Sequence, residues 1–389
     1  MKKAFIWGPL NFPHGSASAN YVQHLADALI DLGYYVVVLS DINHDEIMKT
    51  IDWPSLHKNQ IELQDILIRK RNKWVKYFDY NFMFSKRLIE RFKQLEKKPE
   101  DILISYTHDG LLSLAMNQIA RKAGMKTYAC VVEMFPKKEY GFWPLSLNYW
   151  KEAINYKCAF KKYDCVFPIS TFIKEYLDKK HIRSLCIPCM ANPYEYGQEK
   201  RTRYAKRKFI YPAMGKMKDS LSAILGAFNY LPIDEIQKME FHITGLKEEK
   251  VKEYIKNWDE VKNSIIIHKW MEYEELIDLY RHCDFMLLAR EVNQMTLANF
   301  PSKVPEVMCF GVVPIVSRVG DYTKFYLVDK VNSIVVDGCS GELFAKAISE
   351  AINLTDNEVE KLSSDAMKCA KEKFWYKNWE DSLKKAIEE

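Results

Sequence analysis

The chain has 389 residues, 48% of them apolar and 28% charged, with a formal net charge of +5. That length exceeds one compact core and suits two domains, and the composition excludes disorder as the main state. The mild positive charge is no argument for nucleic acid by itself, and no apolar run reaches the roughly 20 residues that span a bilayer.

From the N-terminus, Met1-Lys2-Lys3 leads into "AFIWGPL", too short for a secretory leader and broken at Pro9. Residues 3–8 are predicted as a strand, 9–20 as a turn-rich loop, 21–33 as a helix ending at Gly33, and 34–40 as a buried strand. This is a βαβ unit, and the pattern recurs. Strand 101–107, helix 110–124 and strand 126–133 follow, then strand 163–170 and helix 171–180. Strands as uniformly apolar as "YYVVVLS" belong in a parallel sheet covered on both faces.

Residues 190–208 turn polar, basic and turn-rich, the texture of an interdomain linker. A second α/β series comes after it, with strands at 208–213, 240–245, 264–270, 284–289, 313–317 and 333–337. Helices are predicted at 220–231, 273–283 and 342–354, and the closing stretch 371–389 reads as one amphipathic helix carrying Trp375 and Trp379. The predicted architecture is α/β, two doubly wound Rossmann-like domains in tandem, spanning 1–195 and 205–372, followed by 375–389.

Residues 69–98 hold eleven Lys and Arg against three Asp and Glu, an excess larger than that of the whole chain. Trp74, Tyr77, Phe78, Phe82, Phe84 and Phe92 are interleaved with them. The segment reads either as a face for anionic lipid headgroups or as a solvated helix face. No RNA-binding motif accompanies it, so nucleic acid is not an expected partner. Nine scattered cysteines, mostly within apolar segments, suit reduced thiols in a cytoplasmic protein. "CIPC" at 186–189 finds no second pair to complete a metal site, and no metal is expected.

The loop "GPLNFPHGSASAN" is not G-x-G-x-x-G, which argues against a nicotinamide cofactor. Its small residues from Gly15 to Ala19 precede a helix, where backbone N–H groups can meet a polar ligand or simply form a tight turn. His108 and Asp109 follow a predicted strand, and Glu133 occupies the same place on the next one. Ligands bind at those strand ends in open α/β sheets, although His108 and Asp109 also suit a helix cap. In the second domain Lys216 and Lys218 lie between a strand and a helix, Arg290 ends another strand, and "FPSKVPEVMCFG" sets Lys303 before Glu306. Such cations at strand ends can hold a diphosphate, with Glu306 receiving ribose hydroxyls.

In that order, "HGSASAN", "ISYTHDG", "GKMKDSLSAILGAF", "IIHKWMEYEELIDLYRHCDFMLLAR" and "FPSKVPEVMCFGVVPIVSRVG" resemble the GT-B glycosyltransferases, specifically glycosyltransferase family 4. The resemblance implies two domains facing a cleft, a terminal helix crossing back to the first, and a nucleotide-sugar donor such as a UDP- or GDP-sugar with no metal required. It implies retaining transfer to a glycan or lipid-linked acceptor in cell-surface polysaccharide biosynthesis, on the cytoplasmic side and peripheral to the membrane. Carried onto this sequence, His108, Lys218 and Glu306 take the central roles. Gly15, Lys216, Arg290, Lys303, Lys269, Trp270 and Met271 fall on the donor side, and Ser16, Ser18, Asn20, Asp109 and Glu133 on the acceptor side. The family's E-x(7)-E places its first Glu at position 298, which is Ala298 here. That departure leaves open a glycosyltransferase-like scaffold subunit without turnover; a nucleotide-sugar epimerase of the same architecture is a further alternative.

Overall fold

The computed structural model describes residues 1–10, 12, 16–41, 60–66, 72–195, 205–213, 215, 217–269 and 271–389. The chain divides into two compact units, 1–190 with 376–389, and 191–375. In the first unit, strands β1 (Lys2–Trp7), β2 (Tyr34–Ser40), β3 (Ile61–Asp65), β4 (Ile102–Tyr106), β5 (Lys126–Val131) and β6 (Cys165–Pro168) form a sheet in the order β3-β2-β1-β4-β5-β6. In the second, β7 (Arg207–Pro212), β8 (Met239–Thr244), β9 (Ile265–Ile267), β10 (Phe285–Leu288), β11 (Val313–Ser317) and β12 (Ile334–Val336) run β12-β11-β10-β7-β8-β9. Every pairing is parallel. Both sheets have the doubly wound order, which reverses between β1 and β4 and between β7 and β10 and so opens a crevice at those strands' carboxyl ends.

The strands whose apolar runs stood out in the sequence are the central ones, buried on both faces. The edge strand β3 was not expected. Its sequence IELQD carries Glu62 and Asp65 and is mostly half-exposed, so it lacks a continuous apolar run. Only its register against β2, Val36 opposite Ile61, makes it a strand.

Three further differences have local causes. The helix expected at 220–231 breaks into Leu221–Ile224 and a 3-10 turn, Gly226–Asn229. Gly341, which starts the helix Gly341–Asn353, packs on this break: a Cβ there would lie 2.9 Å from the Gly226 carbonyl carbon. The helix Phe84–Gln94 buries Phe84, Leu88 and Phe92, one stripe at helical spacing, in the core of the first unit, with the Phe92 ring 5.5 Å from that of Phe5. Two of the aromatics expected on the basic surface are therefore core residues. The terminal stretch is not one helix: an extended Trp375 separates the π turn Ala370–Phe374 from the 3-10 turn Tyr376–Trp379 and the helix Glu380–Glu388.

The last helix packs within the first unit, where Lys126 Nζ and the Tyr128 hydroxyl donate to the Ile387 carbonyl at 2.8 and 3.1 Å. At its start, burial and then the hydrogen bond and charge of Asp31 push Glu380 up to about 7, against the pull of Lys377. An unfolded Glu titrates near about 4.3, so between roughly pH 4 and 7 the folded chain binds a proton that the unfolded chain has released. Stability is therefore lost as pH rises through that window. We expect the protection of the amides of residues 380–388, taken relative to the intrinsic exchange rate at each pH, to fall from pH 5 to pH 8, and E380Q to flatten the dependence; equal protection at both pH values in the parent would refute it.

Candidate functional site

In the second unit the functional side chains gather where β7, β10 and β11 end. β7 delivers Tyr211, and the turn after it carries Lys218 and Asp219. Asp219 accepts from the Tyr211 hydroxyl at 3.1 Å and from Arg290 Nε at 2.9 Å. Arg290 follows β10 and is only 8% exposed. Its second arm, Nη1, donates to Asn299 Oδ1 at 2.9 Å, and its backbone N–H and carbonyl are both held by Ser317 Oγ at the end of β11. Arg290 was expected as a cation for a ligand. In the structure Nε and Nη1 of its guanidinium are held by Asp219 and Asn299, as a buried charge must be paired.

Lys303 opens the helix Lys303–Cys309 and is placed differently. Burial depresses its pKa, while the charges of Glu306 and Asp219 pull it up and Arg290 adds repulsion. Among the described residues its ammonium has no hydrogen-bond partner, so it is a cation of this cluster available to an anion. One turn on, Glu306 Oε1 accepts from the Tyr273 hydroxyl at 2.8 Å. That bond explains how a carboxylate sits on an otherwise apolar helix. Its charge adds to the effect of burial in raising Tyr280 and Cys309. Position 298, where the resemblance expects a Glu, is a fully buried methyl closing the short helix Gln294–Leu297.

Lys218 is half-buried in the turn before Asp219, Lys269 is exposed after β9, and Met271 is half-buried. Gly15, Lys216 and Trp270, three of the expected donor residues, lie outside the described residues. Asp219, Tyr273 and Asn299 were not foreseen. Asp219 stood beside Lys218 in a quoted motif, but nothing in spacing marks Tyr273 or Asn299.

In the first unit a pocket of about 260 Å³ opens at the carboxyl ends of β1 and β4, lined among others by Pro9, His108, Phe135, Tyr140, Lys151 and Glu152. His108 is partly exposed there, its ring 6.0 Å from Phe135. Asp109 caps the helix Gly110–Lys122 by accepting from Leu111 and Leu112 N–H, both at 3.1 Å, and pairs with Lys151 at 2.6 Å. This close approach requires a glycine at 110, where a Cβ would lie 2.3 Å from the Asn155 nitrogen. The carboxylate expected to meet a ligand is thus engaged in structure. Glu133, after β5, is half-buried near Tyr140 and Glu152, and its backbone carbonyl accepts from Tyr156 at 2.8 Å.

Of the loop residues, Ser16 caps the helix Ala17–Asp31, accepting from Ala19 N–H and donating to the Leu10 carbonyl at 3.0 Å. Ser18 lies 2.9 Å from it, and Asn20 is half-buried one turn on. Ser16 and Ser18 are therefore engaged with each other and with the Leu10 carbonyl. All nine cysteines are free, and among the described residues no cluster could hold a metal ion.

Residues 198–369, within the second unit, match the family model described as Glycosyl transferases group 1. None of the curated proteins matches the chain. Among solved structures, sucrose-phosphate synthase from Thermosynechococcus elongatus is similar with TM-score 0.74 at 14% identity, covering 100% of this chain and 98% of that one. A glycosyltransferase from Rickettsia africae gives 0.67 at 14%, covering 100% and 98%. The Anabaena protein HepE in complex with UDP-glucose gives 0.68 at 11%, covering 100% of both.

Proposed function

We propose, taking as premise that this chain is a glycosyltransferase of GT-B fold with a group 1 domain at 198–369, that it moves a hexose from a nucleotide sugar to a glycan or lipid-linked acceptor with retention of configuration. The observation that carries this reading is Lys303, half-buried with no hydrogen-bond partner for its ammonium among the described residues, set one helical turn from Glu306 at the strand ends of the second unit. An ammonium partly withdrawn from water and without a partner is stabilised by an arriving anion. A diphosphate supplies one.

In this reading Lys303 and Lys218 neutralise the leaving diphosphate as charge develops, an electrostatic role in the transition state, and no metal is required for it. Glu306 receives the ribose hydroxyls, and the backbone at 269–271 holds the base. The leaving phosphate takes the acceptor's proton during front-face attack. HepE, which has a similar fold, is described with UDP-glucose bound, which supports a UDP-sugar as the first donor to try. Calorimetry of UDP with K218A, K303A and E306A tests the assignment; if all three bind like the parent, the site is elsewhere.

We further propose that the acceptor is met at an anionic bilayer and that the role is in cell-surface polysaccharide synthesis. Among the described residues no helix is long and apolar enough to cross a membrane. Phe78 and Phe82, however, are 58% and 51% exposed, and Phe142 and Leu145 are 74% and 82% exposed. Phe84 and Ser85, just after the first pair, line the same pocket as Tyr140 and Asn148, which bracket the second. Lys86, Lys93 and Lys137 lie in these same two segments and supply the attraction to acidic headgroups. Burying one Phe in lipid is worth about 1.5–3 kcal/mol, so F78S/F82S and F142S/L145S should each cut partition onto phosphatidylglycerol vesicles about tenfold or more in flotation. Equal flotation of parent and variants would remove the membrane from the proposal.

A further inference from the structure

Glu152 lies in the helix Leu147–Ile154, is 6% exposed, and lines the pocket of the first unit. A buried carboxylate is unfavourable unless it is hydrogen-bonded. This one is held by the Tyr140 hydroxyl on Oε2 and by the Phe135 N–H on Oε1 at 3.2 Å. On the pocket side, Oε2 stands 3.8 Å from Nδ1 of His108, an ion-pair separation. The other charged or titratable groups around it are Glu133 and Tyr156, with the Asp109–Lys151 pair on the same wall. Burial raises Glu152, Glu133 adds to the rise, and His108, Tyr140 and the Phe135 N–H oppose it.

At 3.8 Å, beyond a direct hydrogen bond, the Glu152 charge still favours a proton on the Nδ1 that faces it, which leaves Nε2 as a hydrogen-bond acceptor. Nε2 lies across the ring from Glu152, and His108 contributes to the pocket wall. Phe135 and Tyr140, two aromatic walls of the same pocket, supply apolar surface of the kind that a sugar ring's C–H face covers. We infer that Glu152 is a positioning residue that fixes the Nδ1–H tautomer of His108, so that Nε2 accepts a hydrogen bond from a sugar hydroxyl in this pocket. The inference rests on the sugar-transfer reading for its ligand class only. The hydroxyl belongs to the donor sugar or to an acceptor sugar.

Imidazole nitrogen NMR of the full chain at mildly alkaline pH tests it. The parent should show a protonated Nδ1 and a bare Nε2. E152A should shift the proton toward Nε2, E152D should restore the parental tautomer, and Y140F, which keeps the carboxylate, should leave it unchanged and so controls for folding. Nucleotide sugars and free monosaccharides of glucose, galactose and mannose are then added to the parent. An Nε2 shift with nucleotide sugars alone assigns the hydroxyl to the donor, and one with free sugars assigns it to an acceptor. Nucleotide-sugar turnover in E152A should fall about 100-fold, the scale of a misplaced reacting group. The same tautomer in E152A as in the parent, or no Nε2 shift with any sugar, overturns the inference. The tautomer is read without turnover, so a chain that transfers no sugar would refute the transferase reading and leave the Glu152 result standing.

Discussion

Replacing Arg290 with Met is expected to cost the second unit about 3–5 kcal/mol, the range seen when one member of a buried ion pair is removed. Both side chains of the Arg290–Asp219 pair are 9% exposed, so water cannot take over the lost contact. R290M removes the Arg290 donor from Asp219, which keeps the Tyr211 hydroxyl, and the Arg290 donor from Asn299 Oδ1. For a unit of this size the loss corresponds to a fall in melting temperature of roughly 10 °C. R290K should recover little, since an ammonium does not reproduce the planar fork that joins Asp219 to Asn299. The double variant R290M/D219N should regain a substantial part, because the unpaired charge is what costs most. Calorimetric melting of the three variants decides the matter. A melting point for R290M within a degree or so of the parent would show that the pair does not hold these strand ends together.

The second large effect is expected at Glu306. A hydrogen bond to a charged group contributes about 1.5–3 kcal/mol, so E306Q should weaken UDP binding about 10- to 100-fold. Inorganic pyrophosphate should behave differently, because Glu306 is assigned to the ribose and its negative charge sits beside Lys303. Removing that charge should leave pyrophosphate binding unchanged or make it tighter. Y273F loses only a neutral donor to the carboxylate, at 2.8 Å, and should weaken UDP by less than about tenfold. Calorimetric titration with both probes separates these roles. A parallel fall for UDP and pyrophosphate would mean that Glu306 organises the cations and does not meet the ribose.

The helix over 371–389 and the one over 220–231 show the limit of periodicity as a guide. Both stretches have apolar residues at helical spacing, yet each is interrupted where a neighbour packs closely, as Gly341 does on Gly226. The helix Phe84–Gln94 shows the converse. Its apolar spacing was visible, but whether that stripe met lipid or core depended on the position of β1, whose Phe5 it touches. Strand β3 was missed because an edge strand with two acidic residues has no need of a buried face on both sides.

The sequence by itself determined the two doubly wound sheets. Their central strands must be continuous apolar runs to be buried on both faces, and that property is local. It also placed Lys218, Arg290, Lys303, Glu306 and His108 next to strand ends, since that depends only on chain order. Which of these charges is spoken for was settled by tertiary structure alone. Asp219 meets Arg290 across 71 residues and Tyr273 meets Glu306 across 33, because the strand order brings their loops together. Glu152, which no motif marks, becomes the partner of His108 in the same way. Partnership across such distances carries no periodic signal, and so the same folding that left the Lys303 ammonium without a partner among the described residues gave Arg290 to Asp219 and Asn299, and Asp109 to Lys151.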